Sequence, residues 1–168
     1  MERLDKRAPF TATGGIIPPE FQNIKTPCYI LDEKALTENA KLLGEVAERT
    51  GCKMLLAQKA FSNYDCYPFF EPYLAGTEAS GLYEARLGAE EMAGKEVHVF
   101  CAGYRADEFE ELLQYADHIV FNSFSQWDMH KNTVQNSGRN IECGIRINPE
   151  YSEIETDIYN PVSYTHLR

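Results

Sequence analysis

The chain has 168 residues, 43% of them apolar and 12% aromatic, with a formal net charge of -10. That length fits one domain, or a piece of a larger one, with enough apolar sequence to bury a core. An acidic surface repels phosphate backbones, which argues against a nucleic-acid partner; it suits a cationic small molecule, or simply keeps a cytoplasmic protein soluble.

The five cysteines, Cys28, Cys52, Cys66, Cys101 and Cys143, form no C-x-x-C pair, so neither a zinc ribbon nor a disulfide framework is expected. Cys101 and Cys143 lie in apolar runs and read as small buried hydrophobes. The histidines show no H-x-x-x-H spacing, and no metal site is expected. The N-terminus lacks the apolar stretch of a secretion signal, and no run reaches membrane-spanning length. The expectation is a cytoplasmic protein without a membrane partner.

Residues 1–25, with Pro9, Gly14, Gly15, Pro18 and Pro19, read as an irregular lead-in. Thr26 to Asp32 (TPCYILD) has strand character. Asp32 can cap a helix to about Thr50, with Leu36, Ala40, Leu43 and Ala47 on one face and Gly51 as the stop. A strand is predicted over Lys53–Gln58, then a helix from Ser62 made irregular by Pro68. Next come a strand at Thr77–Ala79, a helix over Leu82–Ala93 and a strand at 97–101. A helix over Asp107–Tyr115, a strand at 118–121, a helix from Ser125 to near Gly138 and a strand at 143–147 complete the series.

Alternation of strand and helix is the pattern of successive βαβ units and a parallel sheet, so the fold class is α/β. A doubly wound nucleotide-binding sheet would show G-x-G-x-x-G after an early strand, and none occurs. The remaining architecture is a parallel (β/α)8 TIM-type barrel, which takes roughly 250 residues. The chain offers about five of its units, so the barrel is expected to be incomplete, with an open strand edge and an uncovered apolar sheet face.

Barrel sites gather at the C-terminal ends of the strands. There stand Lys59, Glu78 to Gly81, Ala102 to Tyr104, Asn122 with Ser123, and Arg146 to Asn148. One lysine and one arginine among small and hydroxyl residues can hold an anionic cofactor. Lys59 closes an apolar run, and apolar surroundings favour the neutral amine that nucleophilic lysine chemistry needs. A lysine snorkelling from a strand end into solvent is the commoner outcome for such a sequence. Arg146 alternates with Ile145 and Ile147; inside a barrel its charge needs a phosphate or a carboxylate such as Glu78 as partner, and the sequence leaves both open. Asp65, Glu84 and Glu142 read as surface or capping charges, Trp127 as core, and the acids at 107–111 as a solvated helix N-terminus.

Five segments then carry a resemblance. They are TPCYILD (26–32), LLAQKAF (55–61), ASGLYEARLG (79–88), HIVFNSFSQW (118–127) and GIRINPEYSE (144–153). In this order and spacing they resemble the carboxynorspermidine (carboxyspermidine) decarboxylase family, a branch of the alanine-racemase-like, fold-type III enzymes that use pyridoxal 5'-phosphate (PLP). The resemblance runs from about Thr26 to Pro161, and the stretch at 150–153 points to the polyamine branch.

The resemblance implies a PLP-binding barrel plus a β-domain built mostly from a C-terminal half not represented here. Residues 1–31 would be lead-in and a β-domain strand, 32–161 the N-terminal part of the barrel, and 162–168 a tail that departs from the family and reads as non-native. Lys59 matches the lysine that holds the cofactor covalently, and Arg146 an arginine near it. The ring-stacking histidine, the glycine-rich phosphate loop, the acid facing the pyridine nitrogen and a cysteine segment from a partner subunit have no counterpart in this chain. The implied parent is a homodimeric cytoplasmic carboxy-lyase of polyamine biosynthesis that acts on carboxylated triamines. The piece by itself is expected to be inactive and unable to fold stably. Alternatives are a non-catalytic PLP-binding barrel protein, or a related enzyme such as diaminopimelate decarboxylase.

Overall fold

The computed structural model describes residues 23–25, 27–149, 151 and 153. Most of the lead-in and the whole tail at 162–168 lie outside the described residues. The chain divides at Asp32 into two units, and each is taken by itself.

In the first unit the described part of the strand expected over 26–32, residues 27–32, carries no strand. Tyr29, Ile30 and Leu31 are exposed. A strand is stabilised by a neighbouring ladder, and among the described residues this unit offers none.

The second unit opens with helix α1, Glu33–Thr50. Ala40 is its buried residue, while Leu42 and Leu43 stay exposed, so only part of the expected apolar face is used. Gly51 ends the helix at a φ of 71°, a left-handed conformation that glycine adopts without a Cβ clash, and its N–H donates to Ala47 O.

Strand β1 is Leu55–Ala57. The helix expected from Ser62 shortens to a 3-10 turn at Tyr64–Cys66 and a single turn of α2, Tyr67–Phe70, with Pro68 in that first turn, where its missing N–H costs little. Then follow β2 (Gly76–Ala79), α3 (Leu82–Glu91), β3 (Glu96–Phe100), α4 (Phe109–Leu112), β4 (His118–Phe121), α5 (Phe124–Asn136) and β5 (Glu142–Ile145). Helix α5 starts earlier than the Ser125 expected, because Ser123 is its cap: the Ser123 hydroxyl accepts the Gln126 N–H at 3.1 Å.

The five strands form one parallel sheet in the order β1-β2-β3-β4-β5. A doubly wound sheet reverses its strand order at a switch point, whereas a β/α barrel adds each strand beside the last. The fold is therefore α/β of the barrel type, in part.

Alternation assigns the sheet two different faces. Thr77, Ala79, Val97, Val99, Ile119 and Phe121 are buried, and Leu82, Ala85, Phe109, Leu112, Leu113 and Val134 from the following helices complete that core. A second cluster joins Ala40, Leu56, Tyr67, Phe70, Leu74 and Met92. The opposite face carries Glu78, Glu96, His98, Phe100, His118 and Arg146, all half-buried. The expected apolar inner face is thus mixed, with these polar residues beside Leu55, Ala57 and Val120. Cys101 is half-buried and Cys143 exposed, contrary to expectation. For Cys143 the reason is its place on β5, which pairs on one side only among the described residues.

Gly76 sets the spacing between β2 and β3: a Cβ there would meet Glu96 O at 1.9 Å. Gly88 does the same for α3 on the sheet, where a Cβ would meet Thr77 Oγ1 at 2.1 Å.

Candidate active site

Parallel pairing brings the C-terminal ends of all five strands to one edge of the sheet. At the end of β1 the ladder extends one residue further, because the Gln58 N–H donates to Glu78 O at 3.1 Å. Gln58 is buried; its Nε2 donates to Glu84 O at 2.8 Å and its Oε1 accepts from the Tyr67 hydroxyl at 3.0 Å. Burial is the main cause that pushes the Tyr67 hydroxyl up to about 12, so it remains a donor.

With Gln58 locked inward, the next residue turns the other way. Lys59 is exposed, the solvent-facing outcome that the local sequence favours over an apolar enclosure. Its charge is felt at Glu78. Burial and then the Glu84 charge raise the Glu78 carboxyl above its ordinary value, and Lys59 opposes them. The Glu84 side chain accepts the Ser80 N–H at 2.6 Å, so this acid caps the start of α3, as expected.

Arg146 follows β5. Its backbone N–H donates to Phe121 O at 2.8 Å, which carries the β4–β5 ladder past the last strand residue. Its guanidinium carbon stands 5.2 Å from the centre of the Phe100 ring, a cation–π contact across the strand ends. No carboxylate pairs with it among the described residues, so the expected alternative of an ion pair with Glu78 is not realised.

Between them lies Asn122, whose Oδ1 is buried without a hydrogen-bond partner among the described residues. Its backbone N–H donates to Gln126 Oε1 at 2.6 Å, and Gln126 Nε2 reaches Ala102 O at 3.4 Å. Gln126 therefore ties the loop after β3 to the loop after β4. The Tyr104 hydroxyl also bridges these strands, lying 2.9 Å from Val120 O and 3.2 Å from Val99 O. Burial pushes its pKa well up. Gln58 and Gln126 were missed in the sequence; Tyr104 was placed at a strand end there, without its bridging hydroxyl. Only Gln126 had a readable signal, the Ser-x-x-Gln spacing of a helix start.

At the opposite edge of the same face a second polar group gathers. Glu96 Oε2 lies 2.9 Å from His98 Nε2 and 3.6 Å from His118 Nε2, while Lys53 binds Glu96 Oε1. His118 Nδ1 is 3.3 Å from Glu142 Oε2. Hydrogen bonds from Lys53 and then His98 hold the Glu96 carboxyl below its usual value. Sequence spacing showed at most the Glu96–His98 alternation on β3, because His118 and Glu142 join it from other strands in register.

No protein-family model matches the chain. Individual proteins do. The chain is 40% identical over 143 residues to a carboxyaminopropylagmatine decarboxylase of Synechocystis, and 37% identical over 141 residues to a carboxynorspermidine/carboxyspermidine decarboxylase of Campylobacter jejuni. A carboxynorspermidine/carboxyspermidine decarboxylase of Herminiimonas arsenicoxydans is 34% identical over 138 residues. These alignments cover 85%, 84% and 82% of this chain. The chain spans about a third of the length of these curated relatives, 36% of each. Among solved structures, the Campylobacter jejuni carboxynorspermidine decarboxylase complexed with norspermidine superposes with a TM-score of 0.72 at 37% identity, covering 79% of this chain and 35% of that one. Among the described residues no helix is long and apolar enough to cross a membrane.

Proposed function

We propose, for a chain homologous to about a third of these carboxynorspermidine/carboxyspermidine decarboxylases, that it belongs to a PLP-dependent carboxy-lyase acting on a carboxylated polyamine. The likeness in sequence and fold over most of this chain carries the reading. The products would be norspermidine or spermidine; carboxyaminopropylagmatine is a further substrate of the same chemical kind, an amine chain bearing an α-amino acid end. The reading includes a cytoplasmic homodimer whose remaining barrel and β-domain come from sequence beyond this piece, with residues 1–31, 32–161 and 162–168 divided as the sequence suggests.

The residues at the strand ends fit an anionic, planar cofactor. Arg146 is a half-buried cation with no carboxylate partner among the described residues, the complement an anionic group needs. Lys59 would hold PLP covalently, and Arg146 would offer charge-assisted hydrogen bonds to an anionic group of it. PLP, when bound, supplies the electron sink for loss of the α-carboxylate.

Lys59 Nζ must give up a proton before it can act as a nucleophile. Glu78, the acid whose carboxyl feels the Lys59 charge, would take it. Phe100 holds the Arg146 guanidinium in place from one side. The acidic chain is compatible with a polycationic substrate.

Borohydride reduction of the full-length protein followed by peptide mapping should put the pyridoxyl label on Lys59, and Lys59→Ala should abolish carbon dioxide release. A label on another lysine overturns the assignment. Carbon dioxide release measured with carboxynorspermidine, carboxyspermidine, carboxyaminopropylagmatine and meso-diaminopimelate settles the substrate. Faster turnover of meso-diaminopimelate would replace the polyamine reading with the amino-acid one.

A further inference from the structure

The polar group at the N-terminal edge of the sheet is unused by the chemistry proposed above. Its three inner members are half-buried, and one donor atom from each of Glu96, His98 and His118 lies within 4.8 Å of the other two. We propose that these three side chains bind a first-row divalent cation of the zinc class.

The spacing supports this. Tetrahedral zinc ligands at about 2.1 Å stand about 3.4 Å from one another. The Glu96 Oε2 separations of 2.9 Å from His98 Nε2 and 3.6 Å from His118 Nε2 bracket that value. The two imidazoles stack with centroids 3.9 Å apart and planes 9° from parallel, so both present Nε2 to the same carboxylate. A modest opposing tilt of the rings would aim both lone pairs at one point.

Glu142 supplies a second, independent sign. Its carboxylate lies 3.3 Å from His118 Nδ1. A carboxylate on the far nitrogen holds a histidine in the tautomer whose near nitrogen is a free lone pair, and raises its basicity as a ligand. This carboxylate–histidine arrangement recurs behind metal-bound histidines. Two imidazoles and one carboxylate suit zinc and cobalt better than magnesium or calcium, which prefer an all-oxygen shell.

Lys53 opposes binding, since its ammonium already neutralises Glu96 through Oε1. It leaves Oε2 to the histidines. The competition makes a specific prediction: removing the ammonium should tighten the site.

Cobalt is the probe. The protein at its full length should take up one Co2+ per chain with the visible absorption of a tetrahedral ion, and Zn2+ should displace it. His98→Phe and His118→Phe, which keep an aromatic ring in the stack, should each weaken Co2+ binding at least about 100-fold, and Glu142→Gln about tenfold. Lys53→Met, at an exposed position, should strengthen it. Lys59→Ala should leave it unchanged, which separates this site from the PLP reading: either can fail while the other stands. Absence of stoichiometric Co2+ uptake overturns the proposal. So does a His98→Phe/His118→Phe double variant that binds as the parent does, or a Lys53→Met variant that binds no tighter.

Discussion

The two faces of the one sheet are built from the same strands and obey different rules. On the helix-covered face Val97, Val99, Ile119 and Phe121 are at most 1% exposed, and their neighbours are apolar side chains of α3, α4 and α5. On the other face the alternate residues of the same strands are Glu96, His98, Phe100, His118 and Val120, all half-buried and mostly polar. A parallel sheet buried equally on both sides reads as a continuous apolar run. Here the period of two persists within a parallel sheet, because only one face is given over to packing. The other is free to hold charge at both of its ends, with Lys59, Glu78 and Arg146 at one and Glu96, His98 and His118 at the other.

Two phenylalanines make the contrast measurable. Phe121 is fully buried on the packed face, and Phe121→Ala should cost about 3–5 kcal/mol in chemical denaturation of the full-length protein. Phe100 lies on the polar face under Arg146, and Phe100→Ala should cost less, about 1 kcal/mol for a cation–π contact, while weakening PLP affinity. Equal losses for the two would break the distinction between the faces.

Gly76→Ala tests the close approach of β2 and β3 that both faces share. A Cβ 1.9 Å from Glu96 O cannot be accommodated without moving backbone, so a loss of about 1–3 kcal/mol is expected, with both edges of the sheet disturbed. An unchanged midpoint would show that the strands can separate at no cost.

Thr77 is a polar exception on the packed face. Its hydroxyl is buried with no hydrogen-bond partner among the described residues. Thr77→Val keeps the shape and removes an unsatisfied group, so stability should rise by about 1 kcal/mol. A loss of stability would mean that the hydroxyl is satisfied.

The smallest effect is expected at His130, buried against Phe109 with ring centroids 4.0 Å apart. Burial lowers its pKa below the ordinary 6.5. The unfolded chain therefore binds a proton at a pH where the folded one does not. The stability linked to this group is complete above 6.5 and is lost as the pH falls from there towards the folded value. His130→Phe should flatten that part of the stability profile; a profile as steep as the parent's would place the titration elsewhere.

The strand–helix alternation was legible because the apolar period switches cleanly between two and 3.6. So was the placing of Lys59 and Arg146 just past strands, which in parallel topology puts both at one edge. The motifs around them pointed to relatives that the sequence and fold comparisons then supplied. Less legible were the short elements: α2 and α4 shrink to single turns, since helices that brief are fixed by packing against the sheet and not by propensity.

The sequence by itself determined the α/β class, the order of the elements and the chemistry available at each strand end, because these depend on local pattern alone. Only the tertiary structure decided which side chains meet. Strand register places Glu96, His98, His118 and Glu142 side by side though more than 40 residues separate the first from the last, and no local pattern encodes register between strands. The same register leaves Arg146 over Phe100 instead of paired with Glu78, and turns Lys59 outward past a buried Gln58. Pairing across a sheet is settled by the packing of its whole buried face, a property of all five strands together.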